Sequence, residues 1–132
     1  MVDSFSLHKA LLYAYRSNPN ITIDMTNMFY SYFNSVGITK FEFNDVDLCF
    51  NVSGPSEYNI IMIRNIKDLF ASFVVALFNN PEYNYCLNFE GNYKELKSLD
   101  SQLLYTYALN CITILNLSTD QNSYILKINL HN

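Results

Sequence analysis

Two histidines, three cysteines and twelve carboxylates are the side chains through which this chain of 132 residues could carry a reaction. Covalent catalysis needs a nucleophile, a base within hydrogen-bond reach and a third group to orient that base. His131 sits one residue from the end of the sequence, where order is commonly poor. His8, beside Lys9 in a helical stretch, is expected on the surface. Cys49, Cys86 and Cys111 are widely separated and show no C-x-x-C spacing, so they read as reduced, buried thiols. A Cys–His dyad of one of them with His8 stands against the commoner fate of a free cysteine, which is burial and inertness.

Glu42, Asp45 and Asp47 form the densest carboxylate group. On a strand Asp45 and Asp47 would share a face, and Glu42 would join them if a bulge shifted its parity. Hard cations such as Mg²⁺ and Ca²⁺ prefer such oxygens, which defines one alternative reading, a small metal-assisted enzyme. The preferred reading is a solvated hairpin turn whose charges discourage edge pairing. Gly37, Gly54 and Gly91 stand alone, so there is no phosphate-cradling loop. Neither G-x-G-x-x-G, a Walker motif, H-E-x-x-H nor G-x-S-x-G occurs. The sequence therefore names no catalytic residue and calls for no cofactor.

Tyrosine is the remaining signal. Eleven Tyr and ten Phe with no Trp bring aromatics to 16%. Tyr13 and Tyr15, Tyr30 and Tyr32, Tyr83 and Tyr85, and Tyr105 and Tyr107 are spaced i, i+2. Such a pair shares a face on a strand but diverges on a helix, so one member of each helical pair must leave the core side. Tyr joins a large apolar ring to a polar tip and is favoured at protein interfaces. Tyr13, Tyr15, Tyr30, Tyr83 and Tyr105 are the expected partner-binding residues.

The elements that must position these groups follow from periodicity and breakers. Residues 58–63 (Tyr-Asn-Ile-Ile-Met-Ile) read as a strand covered on both faces. Asn65 is then the expected N-cap of an apolar helix, with Asp68 in its first turn. Ile66, Leu69, Phe70, Phe73, Val74 and Leu77 form its stripe. Ala71, Ser72, Val75 and Ala76 leave its other side almost uncharged, which predicts burial on more than one side. Asn79, Asn80 and Pro81 end it.

Upstream, Ser4 or Ser6 caps a first helix with Leu7, Ala10, Leu11 and Ala14 facing inward. Asn18-Pro19-Asn20 reads as a turn. Asp24 caps a second helix with the stripe Met25, Met28, Phe29, Tyr32, Phe33 and Val36, closed by Gly37. The period then changes to two. Phe41 and Phe43 alternate with polar residues, and the apolar parity switches at Asn44-Asp45 before Val46, Leu48, Phe50 and Val52. This predicts a tight hairpin or one bulged strand.

Downstream of Pro81, the alternation of Tyr83, Tyr85, Leu87 and Phe89 reads as a strand. Leu99, Leu103 and Tyr107 mark a helix ending near Asn110. Two strands finish the chain, the second carrying Tyr124, Leu126, Ile128 and Leu130. The expected fold is a single α+β domain over residues 1–132, in the order α-α-β-β-β-α-β-α-β-β. Its sheet is largely antiparallel, with helices packed on it.

Composition narrows function by exclusion. Hydrophobic residues at 50% and charged residues at 15% describe a globular chain. Eight scattered Lys and Arg against a net charge of −4 offer no basic cluster for nucleic acid. The longest apolar run, residues 70–78, is well short of the ~20 residues that span a bilayer. The first residues lack the basic and apolar regions of a signal peptide. These features predict a soluble cytoplasmic protein that binds neither nucleic acid nor membrane. Heavy use of Asn, Ile, Tyr and Phe fits an AT-rich genome, a virus or phage among them. The functional expectation is a non-catalytic protein-binding module: an inhibitor, adaptor or chaperone-like domain, with a homodimer among its assemblies. A structural subunit of a larger assembly is the other alternative to the metal-assisted enzyme.

Overall fold

A computed structural model describes residues 4–54, 60–87, 93–117 and 123–128. The fold is α+β, with five helices and a four-stranded antiparallel sheet among the described residues. The first helix, α1 (Ser4–Ser17), is followed by α2 (Pro19–Ser35). A hairpin of β1 (Lys40–Asn44) and β2 (Cys49–Ser53) leads to the long α3 (Ile60–Asn79). A 3₁₀ turn (Asn84–Leu87), the short α4 (Tyr93–Ser98) and α5 (Ser101–Asn110) come next. Strands β3 (Ile112–Leu115) and β4 (Ser123–Ile128) complete the sheet in the order β1-β2-β4-β3.

Local chemistry explains most boundaries. Leu7, Ala10, Leu11 and Ala14 recur at helical spacing and are all fully buried on α1. Asn18 is the N-cap of α2: its side chain accepts from the Asn20 N–H at 3.0 Å, with Pro19 in the first turn. The helix thus begins at Pro19, where a turn was expected, and Asp24 lies within it rather than capping it. Gly37 ends α2 at φ 84°, donating to the Asn34 carbonyl while the Ile38 N–H reaches the Phe33 carbonyl at 2.7 Å. Both bonds together make a Schellman cap, and they need a residue at ease in the left-handed region.

The hairpin resolves the parity switch. Asn44 pairs with Cys49 across a turn of residues 45–48. Phe43 opposite Phe50 and Phe41 opposite Val52 consequently face the same side. Asn44 Oδ1 accepts from the backbone N–H groups of Val46 and Asp47, an Asx turn that shapes the connection. β4 lies beside β2, with Leu126 opposite both Phe50 and Ile114. One sheet face therefore carries Phe41, Phe43, Phe50, Val52, Tyr124, Leu126, Ile112 and Ile128 against the helices. Lys40, Glu42, Asn51 and Ser53 are exposed on the other.

Two expected strands are not strands. Residues 60–63 are the first turn of α3, so Asn65 is inside the helix and caps nothing. Tyr58 and Asn59 lie outside the described residues. A strand there needed cover on both faces, yet Ile61 is 69% exposed. Met62 and Ile63 instead extend the Ile66 stripe backward by three and four residues, and this tertiary match overrides the β preference of isoleucine. Residues 83–87 form a turn and a 3₁₀ segment that buries Tyr83, Cys86 and Leu87. The Asn80 carbonyl accepts from the N–H groups of Tyr83 and Asn84, curling the chain directly after α3. The remainder of that expected strand, Asn88 to Glu90, lies outside the described residues, as do the expected turn over 118–122 and Leu130.

α3 also has one broad buried face, not several. Ile66, Phe70, Ala71, Phe73, Val74, Leu77 and Phe78 are buried, whereas Arg64, Asn65, Asp68, Ser72 and Ala76 are exposed. On α5, capped by Asp100 through the Leu103 N–H at 2.8 Å, the buried residues are Leu104 and Ala108. Leu103, expected inside, is 55% exposed.

Candidate functional site

Phenylalanines form a continuous chain of rings through the layer between α2 and the first hairpin. Phe29 stacks on Phe50 at 4.6 Å between centroids, and Phe33 meets Phe41 edge-on at 4.9 Å. Phe43 lies 4.8 Å from Phe50 and touches the Tyr15 ring at 5.8 Å. These separations fall within the favourable range for aromatic pairs. The chain of rings reaches the surface beside α2: Phe41, half-buried, lies 5.9 Å from Tyr30, which is 57% exposed.

Tyr30 stands there because α2 fills its inner face at positions 21, 25, 29 and 33. A residue at position 30 then points away from the core, and Ile23, seven residues earlier, shares its side. Ile23 is 53% exposed, with Asn27 and Asn34 exposed along the same line. The sole side chain on α2 that is charged at neutral pH is Asp24, and it accepts a hydrogen bond from the Tyr83 hydroxyl. Among the described residues β1 beside it is an edge strand, hydrogen-bonded to β2 alone. A groove of about 430 Å³ runs along it, lined by Thr39, Lys40, Phe41, Glu42, Asn51 and Ser53. An uncharged helix face, an exposed ring backed by buried rings, and an unpaired strand edge thus meet in one place.

The five expected tyrosines divide. Tyr30 and Tyr13 are exposed, Tyr13 at 43% on α1. Tyr15 is buried, its hydroxyl turned to the Met25 sulfur at 2.8 Å. Burial pushes that phenol well above its ordinary range. Tyr83 is buried as well, and its bond to Asp24, with burial adding to it, raises its pKa to about 12. Tyr105 is half-buried and donates to Asp68, joining α5 to α3. Tyr15 and Tyr83 are thus taken into the interior, and the Tyr105 hydroxyl is engaged between α5 and α3. Tyr85, left out of the expected set, is 64% exposed. The i, i+2 spacing held the clue, because on a helical turn Tyr83 and Tyr85 must diverge. Ile23 was missed because Asp24 was read as the start of the helix.

The side chains of the chemical alternatives lie in different settings. Glu42 is exposed on β1, and Asp45 and Asp47 are exposed in the turn, where an Asp47 oxygen accepts from the Asn44 amide. Among the described residues no group of three His, Cys, Asp or Glu side chains is placed to hold a metal ion. His8 is not on the surface; it is 7% exposed. Burial lowers its pKa below 6.5, while burial and then Asp47 raise that of Cys49. Both shifts favour neutral forms, the opposite of a thiolate–imidazolium pair. All three cysteines are buried, and none is in a disulfide. No helix among the described residues is long and apolar enough to cross a membrane. Set against family models, curated proteins and solved structures, the chain finds no match.

Proposed function

We propose that this protein is a binding module for another polypeptide, a second copy of itself included, and that the contact lies on α2 and β1. The observation that carries this reading is Tyr30, exposed on an uncharged helix face and braced by Phe41 at the sheet edge. Interface centres are poor in charge and rich in Tyr and Phe. A ring held by buried neighbours loses little freedom on binding, so more of its contact energy is retained. The edge of β1 turned away from β2 offers backbone donors and acceptors to an extended segment. An inhibitor, adaptor or chaperone-like role in the cytoplasm fits this surface.

Light scattering over a range of concentrations tests the homotypic form. Affinity capture from source-cell lysate tests the heterotypic one. Both are done with wild type, Tyr30→Asp and Ile23→Asp. Association abolished by either substitution, with an unchanged circular dichroism spectrum, supports the surface. A monomer that retains no partner, or binding indifferent to both changes, removes it.

A further inference from the structure

Taking α2 and β1 as the binding surface proposed for this protein, we infer that its partner is a second copy of the chain. The β1 strands of the two copies pair antiparallel about a two-fold axis at Phe41. Among the described residues β1 bonds only to β2, so the N–H and C=O groups along its far side are offered to another strand. Its sequence, Lys-Phe-Glu-Phe-Asn, contains no proline. Its five residues pair one for one with those of β2, without a bulge. Of proline, a bulge and charge, three features that blunt a sheet edge, this strand carries charge alone.

Those charges select one arrangement. Lys40 and Glu42 are both exposed on the sheet face away from the helices, two residues apart and so side by side. With Phe41 opposite Phe41 of the second copy, Lys40 of each copy lies opposite Glu42 of the other. Two opposite-charge pairs then flank the axis. Directly opposed side chains stand about 4.5–5.5 Å apart at Cβ, whereas the like charges fall on diagonals of about 7–8 Å, so attraction outweighs repulsion. Sliding one strand by two residues sets Lys40 on Lys40 or Glu42 on Glu42. Sliding it by one sets a charged side chain beside Phe41 and turns the helix layers to opposite sides. Parallel pairing in register stacks each charge on its like. The other outer strand, β3, is Ile-Thr-Ile-Leu and has no charge with which to choose a register. On the inner face the same axis sets two half-buried Phe41 rings side by side, each with Tyr30 at 5.9 Å. Tyr30 of both copies thus enters the contact, and the two four-stranded sheets run on as one.

Charge reversal tests the pairing, read by sedimentation of the full chain over a range of concentrations at about 50 mM salt, where exposed charges are less screened. Wild type is expected to reach a dimer and stop, because a two-fold contact uses the β1 edge of both copies. Lys40→Glu and Glu42→Lys should each weaken the dimer by about tenfold or more, since each makes both pairs repulsive. The double variant Lys40→Glu/Glu42→Lys should recover it, and mixing the two single variants should give a one-to-one heterodimer. In wild type alone, amide exchange of residues 39–43 should slow as concentration rises while that of residues 112–115 does not. That readout holds whether or not any variant folds. A monomeric wild type overturns the inference, as does association that continues past the dimer or protection gained at residues 112–115 instead. So does a dimer that neither reversal weakens or that the double variant fails to recover. A monomer that still captures a partner through Tyr30 removes self-pairing and leaves the α2–β1 surface standing. A dimer indifferent to charge reversal and to Tyr30→Asp alike removes both.

Discussion

The two halves of the sheet bury the same inner face with different materials. Beneath α2, β1 and β2 use Phe41, Phe43 and Phe50 against Phe29 and Phe33. On the other side, β3 and β4 use Ile112, Leu126 and Ile128, all buried. Tyr124, also buried, is the one ring these two strands add, so the β3 side is mainly aliphatic. Planar rings transmit contact from one to the next, and on the β1 side the series emerges at Tyr30. The comparison teaches that an aromatic half-core can both stabilise a fold and brace a surface residue.

Substitutions at neighbouring positions should break the two halves unequally. Phe50→Ala removes a buried ring in contact with Phe29, Phe33, Phe41 and Phe43 and should cost about 3–5 kcal/mol. Leu126→Ala, directly across the ladder from Phe50, leaves a smaller void and should cost less, toward the lower part of about 2–5 kcal/mol. Urea denaturation compares them, and equal losses would remove the distinction. One step down, Gly37→Ala forces a Cβ into the left-handed cap of α2 and should cost about 1–2 kcal/mol. Asp100→Ala, on the aliphatic side, removes the N-cap bond of α5 for about 1 kcal/mol.

Alkaline unfolding sharpens the contrast further. Because the Tyr83 pKa is raised to about 12, its bond to Asp24 stabilises the fold below the ordinary value of 10 and is lost as pH climbs toward 12. Tyr83→Phe should flatten that part of the stability profile. The smallest effects on folding belong to the surface. Tyr30→Ala and Leu103→Ala should each change stability by less than about 0.5 kcal/mol. In binding they should separate: Tyr30→Ala weakens it by about 2 kcal/mol or more, as an interface anchor does, and Leu103→Ala leaves it unchanged.

Much of the architecture was legible because local signals agreed with it. The faces of α1 and α2, the glycine stop at residue 37, the parity switch of the hairpin and the last two strands are all period or breaker signals. The misread stretches, residues 60–63 and 83–87, carry apolar residues compatible with either a strand or a helical turn. Short runs of that kind are assigned by what packs against them. The candidate site was half legible. An excess of tyrosine raised the expectation of a binding surface, but spacing alone could not say that Tyr30 stays out while Tyr15 and Tyr83 go in.

What the linear order of residues settled was chemical and periodic: few charges, no nucleophile–base motif, and stripes that force helices and strands to share one apolar layer. Those properties are local, set by side-chain type and by 3.6- and two-residue repeats. Tertiary packing alone decided which aromatic rings surfaced and that His8 was enclosed. It also decided that Glu42, Asp45 and Asp47 ended in solvent. Such outcomes depend on which elements meet, and burial is a property of that meeting rather than of any residue by itself.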